Sequence, residues 1–179
     1  DYNDAFVRNV GRADVAQIYV LERDSGRALD DITVEWRGQP RDRLLSSLRS
    51  IPGVRPIGLW AARSTPEAMP EAGVIASMVI TPSRALATLM DAAPLVLAAT
   101  WACVTDASGE VIMASPEAPA HPRLPEGTPA RAVAVTEGAR LARAPVPGGQ
   151  VLTVAREDGP AFHRTELGRL QHMLDVLAC

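Results

Sequence analysis

Asp14-Val15-Ala16-Gln17-Ile18-Tyr19-Val20-Leu21-Glu22 and Ala28-Leu29-Asp30-Asp31-Ile32-Thr33-Val34-Glu35-Trp36 are the two runs whose reading decides the fold of the N-terminal region. Both are rich in β-branched and aromatic residues, as strands are. Between them, Asp24, Ser25 and Gly26 supply the side-chain acceptors and the tolerance of positive φ that a turn needs, so a β-hairpin is predicted. In the second run Ile32, Val34 and Trp36 alternate with Thr33 and Glu35, which gives one buried and one polar face. Strict alternation in the first run puts Val15, Tyr19 and Leu21 on one side and Ala16, Ile18 and Val20 on the other, so both of its faces read as partly covered.

Working outward, Leu44, Leu45, Leu48 and Ile51 recur at helical spacing, with Asp42 in the first turn and Pro52-Gly53 as a stop. Val54–Trp60 then reads as a strand, placed at a sheet edge because Pro56 has no N–H to donate. Strand, strand, helix, strand is the last two-thirds of a βαββαβ ferredoxin-like unit. Phe6, Val10 and Gly11 suit the tail and glycine cap of the helix that comes before it, over residues 4–11. The unit's first strand would then precede Asp1, and the sequence predicts such a strand together with most of the first helix.

Residues 61–73 carry Pro66 and Pro70 without apolar periodicity and read as a linker, dividing a domain at 1–60 from one at 74–179. Val74–Ile80 suits either a helix or a strand. Thr81-Pro82 reads as an N-cap followed by proline at the first helical position, opening a helix through Leu86, Leu89 and Met90. Strands are predicted at Val96–Thr105, Val111–Ala114, Ala132–Thr136, Ala139–Ala144 and Val151–Arg156, with Asp106-Ala107-Ser108-Gly109 as the first turn. Ser115–Pro129 holds five prolines and reads as a long loop. A last helix carries Leu167, Leu170, Leu174 and Leu177. The fold class expected is therefore α+β, with an antiparallel sheet of five or six strands in the second domain.

All 18 basic residues are Arg against 21 acidic ones, a net charge of −3, so the basic excess that phosphate neutralisation requires is lacking. No stretch approaches the roughly 20 apolar residues of a membrane-spanning helix. Nucleic-acid and membrane binding are thus poor expectations. Cys103 and Cys179 lie far apart, which suits neither a metal cluster nor a disulfide scaffold and points to a reducing, cytoplasmic setting. The all-Arg, Ala-rich vocabulary is what GC-rich codons produce, so the arginines are read mostly as solvated surface.

Ala13–Arg23, Asp30-Asp31-Ile32-Thr33-Val34 and the Ile51-Pro52-Gly53-Val54 turn resemble an ACT domain, the small ferredoxin-like module that binds amino acids. Ala99–Val104, Val151–Arg156 and the closing Gly159-Pro160-Ala161-Phe162-His163-Arg164-Thr165-Glu166-Leu167 are similar to a GAF-like domain. Together the halves resemble the ACT-containing amino-acid-binding proteins of actinobacteria. The resemblance implies a non-catalytic regulator, with its ligand at the interface of an ACT homodimer. It also places the family's Pro-Gly ligand loop ahead of Asp1.

Asp14, Val15, Ala16 and Gln17 open the strand where the resembling family lines its ligand groove. A zwitterionic amino acid needs donors for its carboxylate and acceptors for its ammonium, which strand-end backbone groups, Gln17 and Asp14 would supply. Asp14 also suits a plain turn into the strand. Asp30 and Asp31 are adjacent in a strand, hence on opposite faces, and cannot act as a carboxylate pair. His121, His163 and His172 lack metal-ligand spacing, and Cys103 sits in an apolar run without a neighbouring base. With no nucleophile elbow, P-loop or dinucleotide fingerprint, no enzyme is expected. No cofactor is expected either, and at 4% aromatics a stacked planar one least of all. The rival reading is a ligand-independent dimerisation or protein-interaction module.

Overall fold

Among the described residues two sheets of different size organise the chain, one of two strands and one of five. The structure, a computed structural model, describes residues 13–24, 27–36, 40–61, 70–125, 133–136 and 138–178, with backbone alone at 13–24, 31, 36, 70 and 133–136. The chain forms two units, Asp1–Pro66 and Glu67–Cys179. The helix expected over residues 4–11 lies outside the described residues.

In the first unit β1 (Ala13–Asp24) and β2 (Arg27–Trp36) pair antiparallel. Register shifts at Val15/Gln17 and Val20/Glu22 break the strict alternation expected of β1. Each extra residue in a bulge moves the residues beyond it to the other row. Val15 therefore stands opposite Val34 and Ile18 opposite Ile32, in the same row, while Tyr19 stands opposite Asp31 in the other. Helix α1 (Arg41–Arg49) buries Leu44 against Ile32, Val34, Leu48 and Leu59. Val54–Trp60 is not a strand. Pro56 cannot donate to a ladder, neither strand of the hairpin pairs with this segment, and it is held instead by the Val54 N–H to Ile51 O turn (3.1 Å) and by the packing of Leu59.

In the second unit α2 (Pro70–Ile80) settles the ambiguous run as a helix and extends into the expected linker, since proline fits a helix's first turn. Thr81 occupies the predicted cap position but makes no side-chain cap bond; Pro82–Arg84 form a 3-10 turn that leads into α3 (Ala85–Val96). β3 begins only at Trp101, not at Val96, because Val96 ends α3 and Ala98 turns the chain at φ 46°. β3 (Trp101–Thr105), β4 (Val111–Ala114), β5 (Val133–Thr136), β6 (Ala139–Val146) and β7 (Gln150–Arg156) form one antiparallel sheet in the order β4-β3-β7-β6-β5. α4 (Arg164–Asp175) and a 3-10 turn close the chain.

The main core lies between the helices and one sheet face. Met78, Leu89, Met90, Leu170, Met173 and Leu174 pack there against Ala102, Val104, Leu152 and Val154. On the opposite face Trp101, Cys103, Leu141 and Ala155 are covered by Ala118 and Leu124 of the proline-rich connection. Burial on both faces explains why β3 reads as a continuous apolar run.

Candidate functional site

The hairpin's register sorts the four residues expected to hold a ligand. Asp14 stands opposite Glu35 and Gln17 opposite Thr33, in one row; Val15 stands opposite Val34, in the other. Ala16 falls within the first bulge. Ile32 and Val34 pack on Leu44 of α1, so the alternate positions of β2, Thr33 and Glu35, belong to the other side of the hairpin. The register thus brings Asp14 and Gln17 together and separates Val15 from them. The side chains of all four lie outside the described residues.

A second set of polar groups crosses the large sheet. Cys103 on β3 is registered opposite Thr153 on β7, and Thr153 opposite Arg143 on β6. Arg143 Nη1 donates to Pro125 O at 3.1 Å, tying the proline-rich connection to this face. Burial pushes the Cys103 thiol up to about 11, against the opposing pull of the Arg143 charge. A thiol held protonated is a poor nucleophile.

Folding favours the neutral thiol, so this contribution is complete below the unfolded value near 9 and is lost as pH rises toward 11. Two pKa units correspond to roughly 2–3 kcal/mol. We expect the urea midpoint of wild type to fall between pH 9 and 11 relative to that of Cys103→Ala. Native protein at pH 8 should resist iodoacetamide at this position. A thiol alkylated at the rate of a free peptide cysteine would contradict the assignment.

The histidines do not converge. His163 lies outside the helix proper as the N-cap of α4, where its Nδ1 accepts from Thr165 N at 3.3 Å and its own N–H donates to Glu166 Oε2 at 2.7 Å. His172 is exposed in the last turn of α4, and His121 is exposed in the proline-rich connection. Among the described residues no group of three or more His, Cys, Asp or Glu is placed to hold a metal ion. No single helix among them is long and apolar enough to cross a membrane.

The most deeply buried charged side chain among the described residues is Arg156. Arg156, 4% exposed, donates to Ala98 O (3.1 Å), Leu97 O (2.6 Å), Pro160 O (2.9 Å) and Glu166 Oε1 (2.7 Å), and its guanidinium stacks 4.2 Å from the Phe162 ring centroid. Every one of these partners except Glu166 is a carbonyl or a ring, which no charge pattern in the sequence reveals. Its capping-box partner was the one available signal, because Glu166 stands three residues after the cap. The cluster holds the α3–β3 turn, the β7–α4 connection and the start of α4 together, so its work is structural.

The chain matches no protein-family model, no curated protein and no solved structure.

Proposed function

We propose that this protein is a non-catalytic small-molecule sensor, in which an ACT-like, ferredoxin-type N-terminal unit binds an amino acid at a homodimer interface and a GAF-like C-terminal unit receives the change. The observation that carries the reading is the hairpin register, which sets Asp14 and Gln17 in the row away from the Leu44 contact. There Asp14 accepts from the ligand ammonium, while Gln17 and strand backbone N–H groups donate to its carboxylate. A layered second unit, with helices on one sheet face and a proline-rich connection on the other, supports the GAF-like assignment. Signalling then needs only a ligand that binds two arrangements of the dimer unequally.

The rival, a ligand-independent assembly module, is favoured by one observation: Val79, Ile80 and Leu95 are 60%, 80% and 57% exposed on α2 and α3. A thermal-shift screen against the twenty amino acids separates the two. One of them at 100 times its Kd should stabilise the fold by about 2.7 kcal/mol, and Asp14→Asn with Gln17→Ala should remove that gain. If no amino acid raises the Tm, or if the double variant keeps the full shift, the sensor reading at the hairpin fails.

A further inference from the structure

From Pro70 to Val96, through α2 and α3, the charged residues are Glu71, Arg84 and Asp91. Glu71 pairs with Arg169, its Oε1 accepting from Nε at 2.6 Å. Arg84 and Asp91 are exposed, and among the described residues neither side chain has a hydrogen-bond or ion-pair partner. A helix face turned to water is normally rich in charge. Here α2 turns Ala72, Gly73, Ala76, Ser77, Val79 and Ile80 outward, and α3 adds Leu95. Contiguous apolar exposure of this kind marks an interaction surface.

Ala85, Leu89, Ala93 and Val96 bury one side of α3. At about 100° per residue, Arg84, Asp91 and Leu95 fall on one line along the opposite side, with Ala87 and Thr88 flanking its middle. Arg84 and Asp91 stand about 10 Å apart along the axis. Ahead of Arg84 the chain bends by 119° between α2 and α3, and the exposed Ile80 stands at that corner. The outer line therefore runs apolar, positive, small, negative, apolar. Reversed, this order is its own complement. A second copy laid antiparallel sets Arg84 against the partner's Asp91, Asp91 against the partner's Arg84, and Leu95 beside the partner's Ile80. A two-fold contact between identical chains requires that self-complementarity.

We propose that the outer face of α3 is the surface on which the C-terminal unit pairs with a second copy of this chain, antiparallel about a two-fold axis at Ala87 and Thr88. The small side chains at the axis let the two helices approach closely. The two charge pairs fix the register, and the corner formed by Val79 and Ile80 covers the partner's Leu95. The surface lies within the Glu67–Cys179 unit, needs no ligand, and does not depend on the hairpin site proposed above.

The test is disulfide trapping of the full chain carrying Ala87→Cys and Cys179→Ser, in which the remaining Cys103 is buried. The control carries Glu117→Cys, exposed in the proline-rich connection, in place of Ala87→Cys. Mild oxidation should trap a covalent dimer through position 87 at least fivefold above the control. Adding Arg84→Glu or Asp91→Arg sets like charges face to face and should lower the yield at least fivefold. Mixed in equal amounts, these two variants present opposite charges at both contacts, so trapping should return as the mixed dimer, which also shows that each variant is folded. The Asp14→Asn, Gln17→Ala double variant should trap as the parent does, so failure of the hairpin site and failure of this interface are read separately. Trapping no greater than the control, charge variants that trap as well as the parent, a mixture no better than either variant alone, or loss of trapping in the hairpin variant would each overturn the proposal.

Discussion

Arg156→Met is expected to destabilise the C-terminal unit by about 3–5 kcal/mol, the usual result of stranding one member of a buried ion pair. Glu166 is 8% exposed and its Oε1 accepts from Arg156 at 2.7 Å. Without the guanidinium its charge is buried with the His163 N–H as its remaining donor among the described residues, and the Leu97 and Ala98 carbonyls lose theirs. Methionine keeps the apolar stem but supplies no donor. The urea midpoint of the C-terminal transition measures the loss, and Glu166→Gln in the Arg156→Met background should recover part of it by removing the stranded charge. A midpoint within experimental error of wild type would show that the cluster is incidental. Gly159→Ala probes the same cluster from outside. At φ 126° an alanine is strained, and its Cβ would meet Arg156 Cδ at 2.7 Å, so about 1–3 kcal/mol is expected.

In the first unit the largest effect should come from Leu44→Ala. Leu44 is 2% exposed, and it is the buried residue through which α1 meets Ile32 and Val34. Truncating such a leucine costs about 2–5 kcal/mol. A two-stranded hairpin is marginal without a hydrophobic layer on it, so the loss acts on the whole small unit. Amide exchange protection across β1 and β2 should disappear while that of β3, β6 and β7 persists. Protection retained in the hairpin would mean that another contact carries it. Loss of the amino-acid response in the same variant is expected from the hairpin reading.

Much of the second unit is legible in sequence because its signals are local. Asp106 accepts from Ser108 N, Ser108 Oγ and Glu110 N, and Gly109 takes φ 87°, which is the turn that Asp-Ala-Ser-Gly announces. These hydrogen bonds hold the Asp106 carboxyl below the usual carboxylate range. β4, β6 and β7 begin within a residue of their predicted starts for the same reason, since Gly and Pro bracket each apolar run. The apolar run before β3 misleads at its start. Val96 and Leu97 are as hydrophobic as a strand, but they finish α3, and only the core they enter distinguishes the two.

Which row of the hairpin a residue joins is less legible. Alternation assigns Val15 and Tyr19 to one side, and a bulge that no residue type announces undoes it.

The amino-acid sequence by itself determined which segments become strands, turns and helices in most of the chain, because periodicity, turn residues and caps act over a few neighbours. Tertiary structure alone decided that Val54–Trp60 joins neither described sheet, that Arg156 of β7 meets Glu166 and the carbonyls after α3, and that Asp14 shares a row with Gln17. Each of those outcomes depends on which distant backbone or side chain completes a hydrogen bond or a ladder, and that choice is made only when the elements pack.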